Sequence, residues 1–356
     1  MFIFVLPVSG GRFCNQLSSI KSICDIEIKP ELIFSSSGGN VVAYLYLASK
    51  FHSMEIDRIS KKLNHNFFIK EWNNLSLVNF VIGYFKSGVH DKGDGVTDFI
   101  KSQINLELLN SMEIWTGTYL INSKKSKLFC NLSKENSLLE KYLYSIDNSL
   151  HQNVDSEFCN LNINLITKVS IASASIPAIV PPEIINHIPH ADGGMSYSSP
   201  FCILSSPLEK IVEERKKMHI VYFNSFNFDN QVIDHINKNV IETWRTATDD
   251  LIRSLCVMDK IFVYQFFKQY VKIIDHYIFK NTQSNMKIYK EITKIVDYSF
   301  LEIYPEFTYS VNIENFNGND IENILNKNKN NMICNLYIEN LNNLPNTVYE
   351  LINLLN

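Results

Sequence analysis

Three short stretches carry residue types suited to nucleophilic chemistry. Residues 35–39 read Ser-Ser-Ser-Gly-Gly. The apolar run Leu32-Ile33-Phe34 precedes them, and Val41, Val42, Leu45 and Ala48 follow at helical spacing. A strand that turns into a helix over small residues is the geometry of a nucleophile elbow, which holds one side chain out over the end of a sheet. The N–H groups of the new helix lie beside that side chain and point at any oxyanion formed there. In this frame Ser37 is the nucleophile, with Ser35, Gly38 and Gly39 as its small neighbours. Taking Gly38 as the last elbow glycine would make Ser36 the nucleophile, but that frame puts Phe34 where the turn wants a small residue. The same five residues also suit a flexible loop or a nucleotide-binding turn.

The second stretch is Val8-Ser9-Gly10-Gly11-Arg12, whose glycines let backbone N–H groups face a common point. The third is His190-Ala191-Asp192-Gly193-Gly194, where two glycines allow a reversal that leaves the Asp192 carboxylate projecting. An Asp before Gly-Gly is also a common surface turn. His187 and His190 lie close enough in sequence to Asp192 for a Ser–His–Asp triad, and exposed polar positions before a turn explain them equally.

These stretches need a sheet to position them. Phe2 to Leu6 reads as a central strand, Cys14 to Cys24 as a helix with Leu17, Ile20 and Ile23 on one side, and Leu32 to Phe34 as the next strand. Both strands end in glycine-bearing turns, and the carboxyl edge of an open α/β sheet is where ligands bind. Further on, the pattern predicts a helix over 54–63 and strands over 113–120 and 127–131 across the turn Ser123-Lys124-Lys125-Ser126. It also predicts helices over 136–145 and 160–175, a strand over 218–223, and mostly helix over 241–277. Residues 310–356 alternate short apolar pieces with Asn-rich ones, without a dependable repeat. The Phe/Trp/Leu-rich piece 67–86 reads as core, or as a cover over a site. The loop from His90 to Gly95 lacks the terminal Glu of a calcium loop.

The 356 residues are 46% hydrophobic and 20% charged, the composition of a globular protein of one large or two ordinary domains. A net charge of −4 gives no basic footprint for nucleic acid. Seven scattered cysteines form no CxxC pair, so buried free thiols are expected in place of a disulfide framework or a zinc site. No run of 18 apolar residues predicts a membrane-spanning helix, and the short apolar start lacks a basic leader and cleavage site. A cytoplasmic place, or a peripheral one on intracellular membranes, is the expectation.

Taken together, the three stretches resemble the patatin-like phospholipase family. That family pairs an oxyanion loop, G-G-G-x-R/K-G, with a G-x-S-x-G elbow and a D-G-G/A motif. Gly10 matches the third loop glycine, Gly11 the variable position and Arg12 the basic residue. Pro30 to Ile33 matches the run into the elbow, and Ser35 to Gly39 the elbow itself. Residues 172–177, followed by Pro181-Pro182, resemble the family's helix end and proline-rich connection. Asp192-Gly193-Gly194 matches the dyad aspartate, and Ser199-Pro200 falls where the family often has Asn-Pro. The resemblance covers about residues 1–200.

It implies a three-layer α/β/α fold with a mostly parallel central sheet. Residues 1–207 would form the catalytic domain, and 208–356 a mainly helical extension, separate or part of the same domain. It implies a Ser–Asp dyad of Ser37 as nucleophile and Asp192 as base, needing no cofactor or metal. The N–H groups of Gly10, Gly11 and Gly38 would hold the oxyanion, with Arg12 beside them to meet a lipid phosphate or brace the loop. The partner implied is a lipid or phospholipid substrate, with peripheral membrane contact; oligomeric state stays open. Four departures stand out: Val8 and Ser9 replace the first two loop glycines, Phe13 the last, and Ser35 the first elbow glycine. They leave room for a binding module that keeps the fold without turnover. Acyl transfer to an acceptor other than water is a third possibility.

Overall fold

The computed structural model describes residues 1–69, 92–145, 154–177, 179–227, 240–271, 274–280, 283–311, 316–340, 342 and 344–353. Most of the aromatic piece 67–86, and residues 90 and 91 of the His90–Gly95 loop, lie outside the described residues.

Among the described residues, eleven strands form one sheet. They are β1 (Phe2–Leu6), β2 (Leu32–Ser36), β3 (Glu113–Leu120), β4 (Lys125–Cys130), β5 (Val154–Phe158), β6 (Glu183–Ile185), β7 (Ile188–Asp192), β8 (Met218–Phe223), β9 (Ile274–Lys280), β10 (Tyr298–Pro305) and β11 (Met332–Glu339). The order is β5-β4-β3-β2-β1-β8-β10-β11-β9, with β7 on β3 and β6 on β7. The five central strands, β3 to β10 in that order, run parallel. Antiparallel pairs flank them, so the sheet is mixed.

Eleven described helices pack on the sheet: α1 (Phe13–Cys24), α2 (Gly38–Ala48), α3 (Ser53–Ser60), α4 (Gly95–Gln103), α5 (Leu106–Asn110), α6 (Ile163–Ser173), α7 (Phe201–Arg215), α8 (Val240–Lys268), α9 (Gln283–Ile295), α10 (Gly318–Asn328) and α11 (Asn346–Asn353). They form two outer layers, and the alternation along β1 shows why. Phe4 and Leu6 join a core with α1, α2 and α6, whereas Ile3 and Val5 join the opposite core with α7 and α8. A parallel strand covered on both faces must be apolar at every position, as Phe-Ile-Phe-Val-Leu is. Each such side chain, fully buried, contributes roughly 1.5–3 kcal/mol.

Several sequence expectations shift. The extension after residue 207 also supplies four strands, and β8 pairs with β1 in parallel, so the sheet runs through both halves. Residue 207 itself is a proline within α7. The helix expected over 241–277 stops at Lys268, and β9 follows. Paired antiparallel with β11, β9 finds its backbone partners in a strand far along the chain. The turn between β3 and β4 falls at 121–124, with Lys124 at φ 54°. The helix expected over 136–145 is two 3-10 turns, Lys134–Asn136 and Glu140–Ser145. Between them the buried Glu113 carboxylate accepts bonds from the Ser137 hydroxyl and the Leu138 N–H. Those contacts compete with a regular helical ladder.

Candidate active site

The turn between β2 and α2 has the sharp form expected of an elbow. β2 ends at Ser36, α2 begins at Gly38, and Ser37 between them sits at φ 54°, ψ −131°. A residue with a Cβ pays about 1–3 kcal/mol for such a backbone, so its surroundings must hold it there. Three contacts do. The Ser37 N–H donates to Ser173 Oγ at 2.9 Å, and that hydroxyl donates to the Gly117 carbonyl at 2.7 Å. The Ser37 carbonyl accepts the Asn40 N–H at 3.0 Å. Gly39 is required by close approach, because a Cβ there would lie 2.2 Å from the Leu6 carbonyl oxygen.

Ser35, the departure from the family's first elbow glycine, is fully buried. Its hydroxyl donates to the Trp115 carbonyl at 3.5 Å and accepts from Asn40 Nδ2 at 3.1 Å. Asn40 also reaches Thr116 Oγ1 at 2.7 Å, which ties the first turn of α2 to β3. The extra hydroxyl is therefore absorbed by an amide from the following helix. Ser36 points elsewhere, toward Gly117 and Gly193, and its buried hydroxyl has no hydrogen-bond partner among the described residues.

Asp192 reaches Ser37 from the far end of a different strand. β7 pairs with Thr118–Leu120 of β3, just beyond the point where β2 stops pairing at Gly117. That register carries Asp192 to the elbow. Ser37 Oγ donates to Asp192 Oδ2 at 2.6 Å, and the Gly194 N–H donates to Asp192 Oδ1 at 2.7 Å. Asp192 is 4% exposed, and burial pushes its carboxyl up to about 7 against the opposing pull of those two bonds. A carboxyl poised near neutrality, in hydrogen-bond reach of a serine hydroxyl, is suited to taking that proton.

The glycine loop lies beside the pair. Gly10 to Arg12 form a 3-10 turn, and Gly10 has φ 53°. Gly10, Ser37 and Gly38 line one cleft with Phe68, Ile69, Ala174, Ile176, Ile179 and Val180. Among the described residues, the N–H groups of Gly10, Gly11 and Gly38 make no hydrogen bond. The Arg12 N–H, by contrast, donates to the Ser9 carbonyl. The Arg12 guanidinium stacks 4.6 Å from the centre of the Phe226 ring, a bracing contact. Phe13 does not enter the cleft; its ring packs in the core edge-on to Phe68 and Phe316.

Helix α8 props the loop from behind. Cys256 Sγ donates to the Val8 carbonyl at 3.1 Å, and Val8, Cys256 and Phe226 form a small apolar cluster with Ile252. One turn on, buried Asp259 accepts from the Ser199 and Tyr222 hydroxyls at 2.8 and 3.1 Å. Burial pushes its carboxyl up to about 7 as well. Sequence reading missed Ser173, Asn40 and Asp259. The small polar run at 172–175, ending a helix, was the available sign for Ser173; nothing local marked the other two.

His190 takes no part in the Ser37–Asp192 contact. Its Nδ1 lies 3.0 Å from Thr118 Oγ1, and burial, with Lys127 nearby, lowers its pKa to about 4. His187 sits at φ 66° in the β6–β7 turn. All seven cysteines are free, and all but Cys202 are buried. Burial pushes the thiols nearest the loop, Cys14 and Cys256, up to about 12. Among the described residues, no group of three or more His, Cys, Asp or Glu could hold a metal ion. A cavity of about 450 Å³ lies between α3 and α4 with Arg58, Asp94 and Asp98 on its walls, and neither dyad residue lines it.

No protein-family model matches this chain, and no curated protein matches it.

Proposed function

We propose that the chain is a lipid acyl hydrolase working through Ser37 and Asp192. One observation carries the reading: the Ser37 hydroxyl donates to Asp192 at 2.6 Å from a left-handed turn between strand and helix. The apolar walls of the cleft, Ile176, Ile179 and Val180, support an acyl chain as the bound part of the substrate. The resemblance in the three motifs supports the same assignment.

In this mechanism Ser37 Oγ attacks the ester carbonyl carbon while its proton passes to Asp192. The carbonyl oxygen gains the negative charge, and the N–H groups of Gly10, Gly11 and Gly38 stabilise it. Collapse breaks the bond to the alcohol, which leaves with the proton from Asp192. The acyl-enzyme is cleared when water adds to the same carbon, giving its proton to Asp192. Breakdown of that adduct frees the fatty acid and returns the proton to Ser37.

A second reading, a module of this fold that binds without turnover, is favoured by the tightness of the cleft. Ser37 is 2% exposed, and the free space beside it is about 30 Å³, room for one water. Hydrolysis of a p-nitrophenyl acyl ester, with labelling by a fluorophosphonate, separates the two. The hydrolase reading expects both in the parent and neither in Ser37→Ala. Unchanged hydrolysis in Ser37→Ala, or a parent that resists the probe, would defeat it.

A further inference from the structure

The ribbon that carries Asp192 ends in an apolar, basic tip. Ile184 on β6 pairs with Pro189 on β7, and the Pro189 carbonyl accepts the N–H of Ile121 at the end of β3. Cross-strand neighbours share a face, so Ile184, Pro189 and Ile121 form one row. Ile184 is 49% exposed and Ile121 39%; Ile188, 44% exposed, follows on β7 next to Pro189 and turns to the opposite face of the ribbon. Large aliphatic side chains left to solvent on both faces of the tip mark an interaction surface.

Lysines gather at the β3–β4 turn, and the acidic side chains nearest the row, Glu183, Asp155 and Glu157, are ion-paired with Lys92 and Lys127. Residues 121–127 read Ile-Asn-Ser-Lys-Lys-Ser-Lys and residues 184–190 read Ile-Ile-Asn-His-Ile-Pro-His, with no acidic residue in either. Lys127 is paired with Asp155 and Glu157. Lys124 and Lys125 are exposed and make no ion pair among the described residues. Exposed isoleucines beside unpaired lysines complement acyl chains beneath anionic head groups. A protein partner would need matching acidic and apolar surface; a bilayer offers both everywhere.

We propose that this tip, made of the β3–β4 turn and the β6–β7 ribbon, docks the protein on a bilayer containing anionic lipid. The proposal deepens the lipid-hydrolase reading and rests on it. Asp192 is four residues along β7 from Ile188, about 13 Å at the rise of a strand. A docked tip brings the dyad within one acyl-chain length of the surface. No helix among the described residues is long and apolar enough to cross a membrane.

The test uses the full chain carrying Ser37→Ala, sedimented with vesicles of phosphatidylcholine alone or with phosphatidylglycerol. The parent binds, and binds better with phosphatidylglycerol. Lys124→Gln with Lys125→Gln removes that preference, about a thirtyfold loss at low salt. Ile121→Ser with Ile184→Ser lowers binding to both vesicles at least tenfold, with an unchanged melting temperature. In the Ser37 background the same variants hydrolyse a soluble ester as the parent does. Failure of the parent to bind either vesicle, or equal binding by all variants, overturns the proposal. So does loss of binding only on Met258→Ser with Phe262→Ser, which alter another exposed apolar face, on α8. A dimer broken by the isoleucine variants would also overturn it. Vesicle binding without ester hydrolysis in the Ser37 protein would instead defeat the hydrolase reading alone.

Discussion

Replacing Asp192 with Asn separates what its charge does for rate from what it does for stability. The two side chains have the same shape, so Asn Oδ1 can still accept from Gly194 and its amide can meet Ser37. Burial raises the Asp192 carboxyl from 3.8 to about 7, roughly three pKa units. At about 1.4 kcal/mol per unit, the charged form is disfavoured by on the order of 4 kcal/mol relative to the unfolded chain. Between pH 4 and 7 the native carboxyl holds a proton that the unfolded chain has released. Parent stability therefore falls as pH rises through that window and levels off above 7. Asp192→Asn lacks this contribution. It should match the parent at pH 4 and exceed it at pH 8 by up to that amount in urea unfolding. Asp259 behaves alike in both proteins and cancels in the comparison. Rate moves the other way. With the base ionising near 7, kcat/KM on a soluble ester should fall about tenfold from its plateau by pH 6 and a hundredfold by pH 5. The variant should lose on the order of 100- to 10,000-fold at pH 8. A limb centred near pH 4, or a variant less stable than the parent at pH 8, would refute the account of a desolvated base.

Three other substitutions probe the surroundings. Ser173→Ala leaves the Ser37 N–H and the Gly117 carbonyl without their partner, and should cost about 1–3 kcal/mol in unfolding free energy. It should also lower kcat more than it raises KM, because it loosens the elbow and not the cleft. Asp259→Leu removes the acceptor of the Ser199 and Tyr222 hydroxyls and should destabilise the chain by several kcal/mol, measured by thermal melting. Ile179→Ala widens the cleft and should raise kcat/KM for octanoyl relative to acetyl esters, measured with the p-nitrophenyl series.

What could be read from the sequence was local. Small residues between an apolar run and a helical period placed Ser37, and an Asp before two glycines placed Asp192. The contact between them is 155 residues long in sequence, and only the resemblance suggested it. Phe13 and Ser35 looked like obstacles because a string of letters does not say where a side chain turns. One faces the core and the other finds Asn40. Ser173 and Asp259 were silent because their meaning lies in partners 56 and 60 positions away. β9, β10 and β11 were missed for a related reason. Two of these strands lie among Asn-rich or helix-like stretches, and all three find their hydrogen-bond partners in strands distant along the chain.

The bond from Cys256 to the Val8 carbonyl has a consequence for the order in which the molecule can be assembled. A growing chain holds both the alcohol and its acid once residue 192 has been added. The backbone that is to receive the developing charge gains its support some sixty residues later, when the long helix arrives to lean on it. β1 meanwhile waits with one edge bare until β8 has been made. On the proposed reading, an unfinished chain therefore has its nucleophile and base before it has a settled loop beside them, and turnover should appear only once α8 has been made.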